Sequence, residues 1–175
     1  AQHFELPLYS TAGTTDAKAV DVQSAYESAM SSLLVAMSGA NYIHDIAGLM
    51  EADLTVSYDK LVIDNEILGM CQRVLRGIEV SDETLATELM IEKGPGQDYL
   101  VEDHTLEHMR AEFYMPTLSN RQKREEYDAG QDVLSKARQF VKDLRGRAAE
   151  PCLDEGVRKQ ILQKLQEILS GEAVQ

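Results

Sequence analysis

The sequence contains no tryptophan and only two cysteines, Cys71 and Cys152. Because these cysteines stand far apart in the chain, they match neither a disulfide framework nor the closely spaced ligand pairs of a zinc site. Two isolated thiols are typical of a protein in a reducing compartment. The sequence also lacks a continuous apolar run of about 18 residues, which argues against a membrane-spanning helix.

Basic residues are scarce in this chain. Its 175 residues include 17 lysines and arginines against 30 aspartates and glutamates, a net charge of −13. Nucleic acid and anionic membrane surfaces are therefore disfavoured as partners, because binding to phosphate requires a basic surface. A neutral or cationic ligand suits this charge better. The length and the 43% of apolar residues are those of one globular domain with a core of useful size.

The first 50 residues alternate between strand-like and helix-like patterns. Residues 6–10 and 41–46 are apolar and aromatic runs that predict two strands, with Pro7 favouring a sheet edge. Between them, Asp16 is predicted to cap a helix that ends at Gly39. Its predicted buried face comprises Val22, Tyr26, Ala29, Met30, Leu33, Leu34 and Met37. Such a unit predicts parallel strands joined by a right-handed crossover.

The sequence after residue 56 predicts helices only. Polar residues indicate their starts at Ser57, Ser81, Asp103, Ser119 and Asp154. We interpret residues 57–118 as a helical segment and residues 119–175 as an antiparallel helical hairpin. Two strands cannot close a sheet, so residues 1–56 are interpreted as the last βαβ portion of an α/β barrel or layered fold.

The chain starts without methionine in strand-like residues, and we expect it to be the C-terminal part of a longer protein. Residues 1–56 alone cannot cover both faces of their predicted sheet. We therefore expect copies of the chain to associate as a homo-oligomer, which would cover the exposed apolar surface.

His44 and Asp45 are the first candidate site residues. They follow the second predicted strand, and parallel α/β folds bind ligands at the carboxyl ends of strands. A histidine there can hydrogen-bond a carboxylate ligand or be held by a neighbouring acid; the alternative is a structural histidine beside a turn. The loop from Ser10 to Thr15 lies at the same rim. It lacks the lysine of a phosphate-binding loop and is equally explained as a tight turn.

His104, His108 and Glu112 have the spacing of metal ligands on one helix face. Thr105 occupies the position of the glutamate in the metalloprotease motif, so we predict an exposed helix face and no metal. An acidic stretch also follows the second strand and can attract a cationic substrate. It is more simply a set of solvated carboxylates at helix starts, comprising Glu51, Asp53, Asp59 and Asp64.

Three segments are distinctive when taken together: "LPLYSTAGTTDAKAVDVQSAYES", "GANYIHDIAGLMEADLTVSYDKLVIDNEI" and "EDHTLEHMRAEFYMPTLSNR". They resemble, in the same order, segments of the trimethylamine methyltransferase family. The resemblance covers nearly the whole chain and only the C-terminal third of such an enzyme. It implies the C-terminal part of a TIM barrel. It also implies cytoplasmic methyl transfer from a methylamine or quaternary amine to the cobalt of a corrinoid (cobalamin) on a separate partner protein, in anaerobic methyl-using microbes.

The resemblance also bears on the substrate. Family members that use trimethylamine carry pyrrolysine in a loop after a barrel strand, and the resemblance places that position at Gly13, Thr14 or Thr15. This chain has ordinary residues there, which favours a quaternary amine such as a betaine, whose positive nitrogen already makes the amine a leaving group. The residues expected to wall the cation or hold a carboxylate are Tyr9, Tyr42, Asp45 and His44.

A second class of function remains open. The chain can be a non-enzymatic helical module that binds a partner through residues 119–175, or an inactive remnant. Under the enzyme interpretation, we expect the 175-residue chain alone to be inactive, because most strands of the barrel would be absent.

Overall fold

The structure, a computed structural model, describes residues 1–127, 131–147 and 153–170. Its helices are α1 (Val22–Met37), α2 (Tyr58–Arg76), α3 (Asp82–Leu85), α4 (Thr87–Lys93), α5 (Asp103–Glu112), α6 (Val133–Gly146) and α7 (Glu155–Ser170). Its strands are β1 (Tyr9–Thr11), β2 (Tyr42–His44), β3 (Leu49–Met50) and β4 (Thr55–Val56). The fold is therefore mixed α/β and mostly helical, with two small sheets of two strands each.

The chain divides into two compact units, residues 1–142 and residues 143–175. The first unit holds both sheets and helices α1 to α5. In the second, α7 begins one residue after Asp154, as predicted, and several of its apolar residues are exposed: Val157, Ile161, Leu162, Leu165, Ile168 and Leu169. The hairpin of residues 119–175 stays a prediction, because the segment between its helices lies partly outside the described residues.

The two cysteines differ in what the structure describes. Cys71 on α2 is buried, and this burial raises the pKa of its thiol, as for an unreactive buried cysteine. Cys152 lies outside the described residues. Among the helices of residues 1–127, 131–147 and 153–170, none combines the length and the apolar character needed to cross a bilayer.

β1 and β2 are adjacent and parallel, which confirms the prediction from the strand–helix–strand pattern. The register pairs Tyr9 with Tyr42, Ser10 with Ile43 and Thr11 with His44. Asn41 ties the strand entrances together, since its Oδ1 accepts the Leu8 N–H at 2.8 Å and its N–H donates to the Leu8 carbonyl at 2.9 Å. The strands are shorter than the predicted runs, and β2 ends because Asp45 has a left-handed backbone with φ 56°.

A second sheet was not predicted, and the tally of two strands was wrong. β3 and β4 form an antiparallel hairpin directly after β2. Three consecutive residues of its turn have positive φ angles of 54°, 51° and 69°: Glu51, Ala52 and Asp53. Because none is glycine, the turn lacks the usual hairpin signal. The Ala52 N–H donates to the Thr15 carbonyl at 3.3 Å, which brings this turn against the loop after β1.

Helix α1 begins later than predicted. Asp21, and not Asp16, is its N-cap: the Asp21 carboxylate accepts the Ser24 N–H at 3.0 Å and the Ser24 hydroxyl accepts the Asp21 N–H at 3.0 Å. This reciprocal pair is a capping box with serine in place of glutamate. The Asp16 N–H instead donates to Glu27 at 3.1 Å. At the other end, Gly39 has φ +89° and follows the last turn, as predicted.

The buried face of α1 is polar, which corrects the predicted apolar face. Ser24, Ser28 and Ser32 are 1–2% exposed, one helical turn apart. The predicted face instead holds large exposed side chains: Val22, Tyr26, Met30, Leu34 and Met37. The reason is α2, which packs on α1; small serines permit this approach, and their hydroxyls provide partners for buried polar groups.

The starts of α2 and α3 are confirmed at Ser57 and Ser81, whose side chains accept backbone N–H groups of the first turn. α5 begins at Asp103, but the residue before it is the N-cap. The long helix predicted from Ser119 was wrong, since α6 begins at Val133. The Ser119 hydroxyl instead donates to the carboxylate of Glu66 at 2.6 Å.

Glu66 on α2 holds the loop that ends at Ser119, the predicted start of a helix. Its carboxylate is 5% exposed and accepts backbone N–H groups of Thr117, Leu118 and Ser119 at 2.7, 2.5 and 2.9 Å. Burial raises the pKa of this carboxyl, but the combined hydrogen bonds from the loop outweigh burial and lower the pKa below its ordinary value. The buried carboxylate therefore replaces helical hydrogen bonds in holding residues 117–119.

Candidate functional site

Three aromatic rings lie together on β1 and β2. The Tyr9 ring stacks on the Tyr42 ring with a centroid distance of 5.1 Å and an interplanar angle of 6°. It also stacks on the His44 ring at 4.6 Å and 14°. The structure thus brings together three of the four substrate-binding candidates, and the fourth, Asp45, follows His44 directly.

These three rings share one face of the sheet. Side chains alternate along a strand, so the rings of Tyr9, Tyr42 and His44 share a face, and Ser10 and Ile43 share the other. Tyr9 and Tyr42 are 64% and 61% exposed, whereas Ser10 and Ile43 are partly buried. The two tyrosines therefore lie on the open face of the β1–β2 sheet, and His44, on the same face, is partly buried.

His44 and Asp45 form a contact pair at the carboxyl end of β2. The His44 Nε2 lies 3.1 Å from Oδ2 of Asp45. Asp45 has a left-handed backbone, and its carboxylate contacts the ring of the residue before it. Within the described chain, His44 Nδ1 is buried and has no hydrogen-bond partner. With Nε2 directed at the carboxylate, Nδ1 is the nitrogen left to meet another group.

Gly13, in the loop after β1, is held on every side. Its N–H donates to the Ser31 hydroxyl at 3.0 Å, and its carbonyl accepts from the Ser28 hydroxyl at 2.7 Å. Its φ is +80°, and a Cβ added here would lie 2.7 Å from the carbonyl carbon and 2.8 Å from the Cα of Ile46. The loops after β1 and β2 therefore touch at a position with room for glycine alone.

Thr14 and Thr15 follow this contact and differ in environment. Thr15 is 3% exposed, and its hydroxyl donates to the carboxylate of Glu27. Hydrogen bonds from Thr15 and Gln23 hold the pKa of the Glu27 carboxyl below its ordinary value. Thr14 is partly exposed, and both threonines line an open groove of about 610 Å³ beside α1. Of the three loop positions, Thr14 alone has an accessible side chain.

A buried ion pair behind these loops was missed in the sequence. Lys60 and Asp64, four residues apart on α2, are each 1% exposed and in direct contact. Burial raises the pKa of the Asp64 carboxyl above its ordinary value, against the opposing effect of hydrogen bonds from Lys60 and the Gly48 N–H. The sequence led us to interpret Asp64 as a solvated carboxylate, and this interpretation was wrong. The i, i+4 spacing was the available signal, but it is equally typical of exposed pairs.

The helical histidines are engaged elsewhere. The rings of His104 and His108 lie 4.4 Å apart, and His104 Nε2 is 2.9 Å from the carbonyl of Glu83. Glu112 instead forms ion pairs with Arg73 at 2.6 Å and Arg76 at 3.0 Å. Among the described residues, no cluster of three potential ligands is close enough to hold a metal ion. The absence of a metal here stays a prediction.

Comparison with known proteins gives the family. The family model described as trimethylamine methyltransferase (MTTB) matches residues 1–167. The chain belongs to the trimethylamine methyltransferase family. This membership confirms the resemblance noted in the three sequence segments. The aromatic stack, the His44–Asp45 pair and the loop after β1 all lie inside the matched range.

Relatives within the trimethylamine methyltransferase family carry two substrate names. The chain is 29% identical to a glycine betaine methyltransferase of Desulfitobacterium hafniense over 96% of this chain and 36% of the relative. It is 34% identical to the trimethylamine methyltransferase MttB2 of Methanosarcina mazei over 92% of this chain and 32% of the relative. To the trimethylamine methyltransferase MttB of Methanosarcina barkeri it is 44% identical over 57% of this chain and 20% of the relative. The chain thus spans about a third or less of the length of these relatives.

Proposed function

We propose that the protein of which this chain forms a part transfers a methyl group from a quaternary amine, or from trimethylamine, to the cobalt of a corrinoid on a partner protein. Family membership supports the methyl transfer. The stack of Tyr9, Tyr42 and His44 on one face of two parallel strands, with His44 at the carboxyl end of β2, is the observation that carries the site. The position suits a TIM barrel, whose sites lie at that end, and we propose that β1 and β2 are two strands of such a barrel.

The aromatic stack suits a methylated cation. Ring faces attract an ammonium group through their quadrupole, and this attraction grows as water is excluded. In the proposed reaction, the C–N bond breaks and its electron pair stays on nitrogen, which leaves as a neutral tertiary amine when the donor is quaternary. The corrinoid cobalt, when present, would supply the electron pair of the new bond to the methyl group, and with a quaternary donor no proton would need to move. The contribution of this chain is to bind and orient the cation.

In this proposal, Asp45 favours the cation of the substrate and His44 binds its carboxylate. The Asp45 carboxylate adds negative charge beside the rings and favours a cation. When His44 Nε2–H donates its hydrogen bond to Asp45, the other nitrogen of a neutral imidazole, Nδ1, can only accept a hydrogen bond. Holding the carboxylate of a betaine at Nδ1 therefore requires the doubly protonated imidazolium and a movement that opens this buried atom to the ligand.

The loop after β1 supports the quaternary donor over trimethylamine. A long side chain does not fit at Gly13 and is occluded at Thr15, so we assign the family's pyrrolysine position to Thr14. Threonine cannot supply the activation that trimethylamine needs in the family. A donor that is already quaternary, such as a betaine, needs no such step.

In the full-length protein, His44→Ala is expected to lower kcat/KM for a betaine-like donor roughly ten- to a hundredfold, because a charge-assisted hydrogen bond to the substrate is lost. Tyr9→Leu should lower it about five- to thirtyfold, the size of a partly desolvated cation–π contact, and Tyr9→Phe should recover most of the loss. Methylation of Co(I) corrinoid is followed spectrophotometrically with trimethylamine and with several quaternary amines.

Tyr58→Leu is the matched control, since Tyr58 is an equally exposed tyrosine, at 65%, that begins α2 and forms none of the ring contacts of the stack. It should leave kcat/KM unchanged. Unchanged kinetics in both His44→Ala and Tyr9→Leu would remove these residues from the site. Activity with trimethylamine and with no quaternary amine would overturn the assigned donor. The 175-residue chain alone should show no turnover in the same assay.

The corrinoid protein as a partner, the cytoplasmic location and association between copies also remain proposals. Association is supported by the exposed apolar residues of α1, among them Met30 and Leu34 at 62% and 61% exposure. Light scattering should therefore give a mass above that of one 19.5 kDa chain. A monomer at high protein concentration would contradict this proposal.

A further inference from the structure

One buried pair of side chains contacts both loops at the carboxyl edge of the β1–β2 sheet. Lys60 Nζ donates to the Gly13 carbonyl, in the loop after β1, at 3.1 Å. Asp64 Oδ2 accepts the N–H of Gly48, in the loop after β2, at 2.7 Å. The two charged groups also contact each other on adjacent turns of α2. A single ion pair thus connects the backbones of two loops that follow different strands.

The ammonium group of Lys60 is fully satisfied. Its three donors have three acceptors: the Gly13 carbonyl, the Ser28 hydroxyl at 2.7 Å and the Asp64 carboxylate. Ser28 lies on α1, so the same group also connects the crossover helix to α2. With both charged residues 1% exposed, water does not compete for these contacts.

Stability alone does not account for such an arrangement. A buried ion pair is often no more stabilising than apolar side chains of similar volume, because desolvation offsets the attraction between the charges. An apolar pair cannot, however, accept the Gly48 N–H or donate to the Gly13 carbonyl. What the charged pair adds is a fixed distance between two loop backbones.

We propose that Lys60 and Asp64 are positioning residues that hold the loop after β1, with Thr14 and Thr15, against the loop that follows His44 and Asp45. The pair touches no substrate and acts through Gly13 and Gly48. Describing these loops as the rim of the substrate site rests on the methyl-transfer function proposed above. The inference that the pair holds the two loops together does not depend on that function.

The test compares the complete protein with the double variant Lys60→Met/Asp64→Leu by hydrogen exchange and mass spectrometry. Exchange in peptides covering residues 10–16 and 45–50 should accelerate roughly tenfold or more, because both loops lose their contacts to α2. The melting temperature should fall only modestly, since apolar side chains fill the same volume and the lost contacts are those to the two loops. If the pair did not hold the loops, hydrogen exchange in both peptides of the double variant would equal that of the parent, at an unchanged melting temperature. That result would overturn the proposal.

Glu66→Gln is the matched control on the same helix. Glu66 is also a buried carboxylate that holds backbone N–H groups, but its partners are residues 117–119. Its exchange effect should be confined to that loop. Faster exchange of residues 10–16 and 45–50 in Glu66→Gln would show that any lesion in α2 loosens them, and would contradict a specific role for the pair.

Asp64→Asn keeps the proposal falsifiable if the double variant folds poorly. It preserves the shape of the side chain and removes the charge that faces the Gly48 N–H. Exchange should then rise about threefold or more in the peptide of residues 45–50 and stay constant in residues 117–119. Exchange equal to that of the parent in both peptides would refute the proposal.

Methyl transfer is measured separately on the same variants. With the loops loosened, kcat/KM for a quaternary amine should fall about tenfold or more, at a melting temperature close to that of the parent. If the parent protein itself transfers no methyl group, the proposed function fails, and the exchange data still decide whether the pair positions the loops. If transfer is normal in a variant with loosened loops, the loops are held by the pair but are not part of the site, and the positioning role in the reaction is refuted.

Discussion

Replacing Gly13 with alanine is expected to lower the free energy of unfolding by about 3 kcal/mol or more. A non-glycine residue with a left-handed backbone costs roughly 1–2 kcal/mol, and φ is +80° here. Forcing an extra carbon into a packed region costs about 1–3 kcal/mol more. The added Cβ meets the backbone of Ile46, so rotation of a side chain cannot relieve the clash.

Gly77→Ala separates the cost of the backbone conformation from the cost of the steric clash. Gly77 has a similar φ of +72°, but no atom lies within 4 Å of the position of an added Cβ. This variant should lose only the backbone contribution, roughly 1–3 kcal/mol for a glycine-favouring backbone of φ 72° and ψ −155°. Urea unfolding measures both variants against the parent through the transition midpoint and slope. Equal losses in Gly13→Ala and Gly77→Ala would show that the contact with Ile46 carries no energy.

The parallel pairing of β1 and β2 was predictable because it depends on order along the chain and on chirality. A strand, a helix and a strand in succession restrict the topology to a parallel pair with a crossover. The starts of α2 and α3 were predictable for a similar reason, since Ser57 and Ser81 act on N–H groups within one turn. These features are local, and their physical causes are visible in a few consecutive residues.

The errors arise where the cause is distant in sequence. Ser119 has the spacing of a capping box, but its hydroxyl and its N–H both donate to the carboxylate of Glu66, more than 50 residues away. The apolar stripe of α1 correctly marks a hydrophobic surface, yet α2 packs on the serine side. Hydrophobic spacing shows which side chains favour burial, and it does not show which neighbour is present to bury them.

The candidate site shows the same division. The meeting of Tyr9 with Tyr42 and His44 follows from parallel register, since residues two apart share a face of the sheet. The burial of Lys60 and Asp64 depends on α1 and on two loops closing over α2. Nothing in the i, i+4 spacing of a lysine and an aspartate distinguishes a buried pair from an exposed one. The residues that position a site are therefore harder to recognise from sequence than those that line it.

Lys60→Met alone is expected to lower the free energy of unfolding by about 3–5 kcal/mol, because it leaves Asp64 buried without its cation. Lys93→Met is the matched control: Lys93 also pairs with a carboxylate, that of Glu102 at 2.8 Å, but is 35% exposed. Water can replace its partner, so this variant should lose far less stability than Lys60→Met. Equal losses in the two methionine variants would mean that the Lys60 pair is not buried in solution.

The loss in Lys60→Met should also depend on pH, and its sign follows from Asp64. Burial already raises the pKa of this carboxyl above its unfolded value, and removal of Lys60 takes away a group that opposes that rise. A carboxyl with a raised folded pKa favours the folded state at pH values below its unfolded pKa, and this benefit is lost as the pH rises through the folded pKa. The stability deficit of Lys60→Met relative to the parent should therefore shrink as the pH falls from neutral toward the ordinary range of a carboxyl.

Urea unfolding at a series of pH values tests this, with Lys60→Met/Asp64→Leu as the control that lacks the carboxyl. A deficit that grows on acidification in Lys60→Met, or one that shrinks equally in the double variant, would assign the pH dependence to a group other than Asp64.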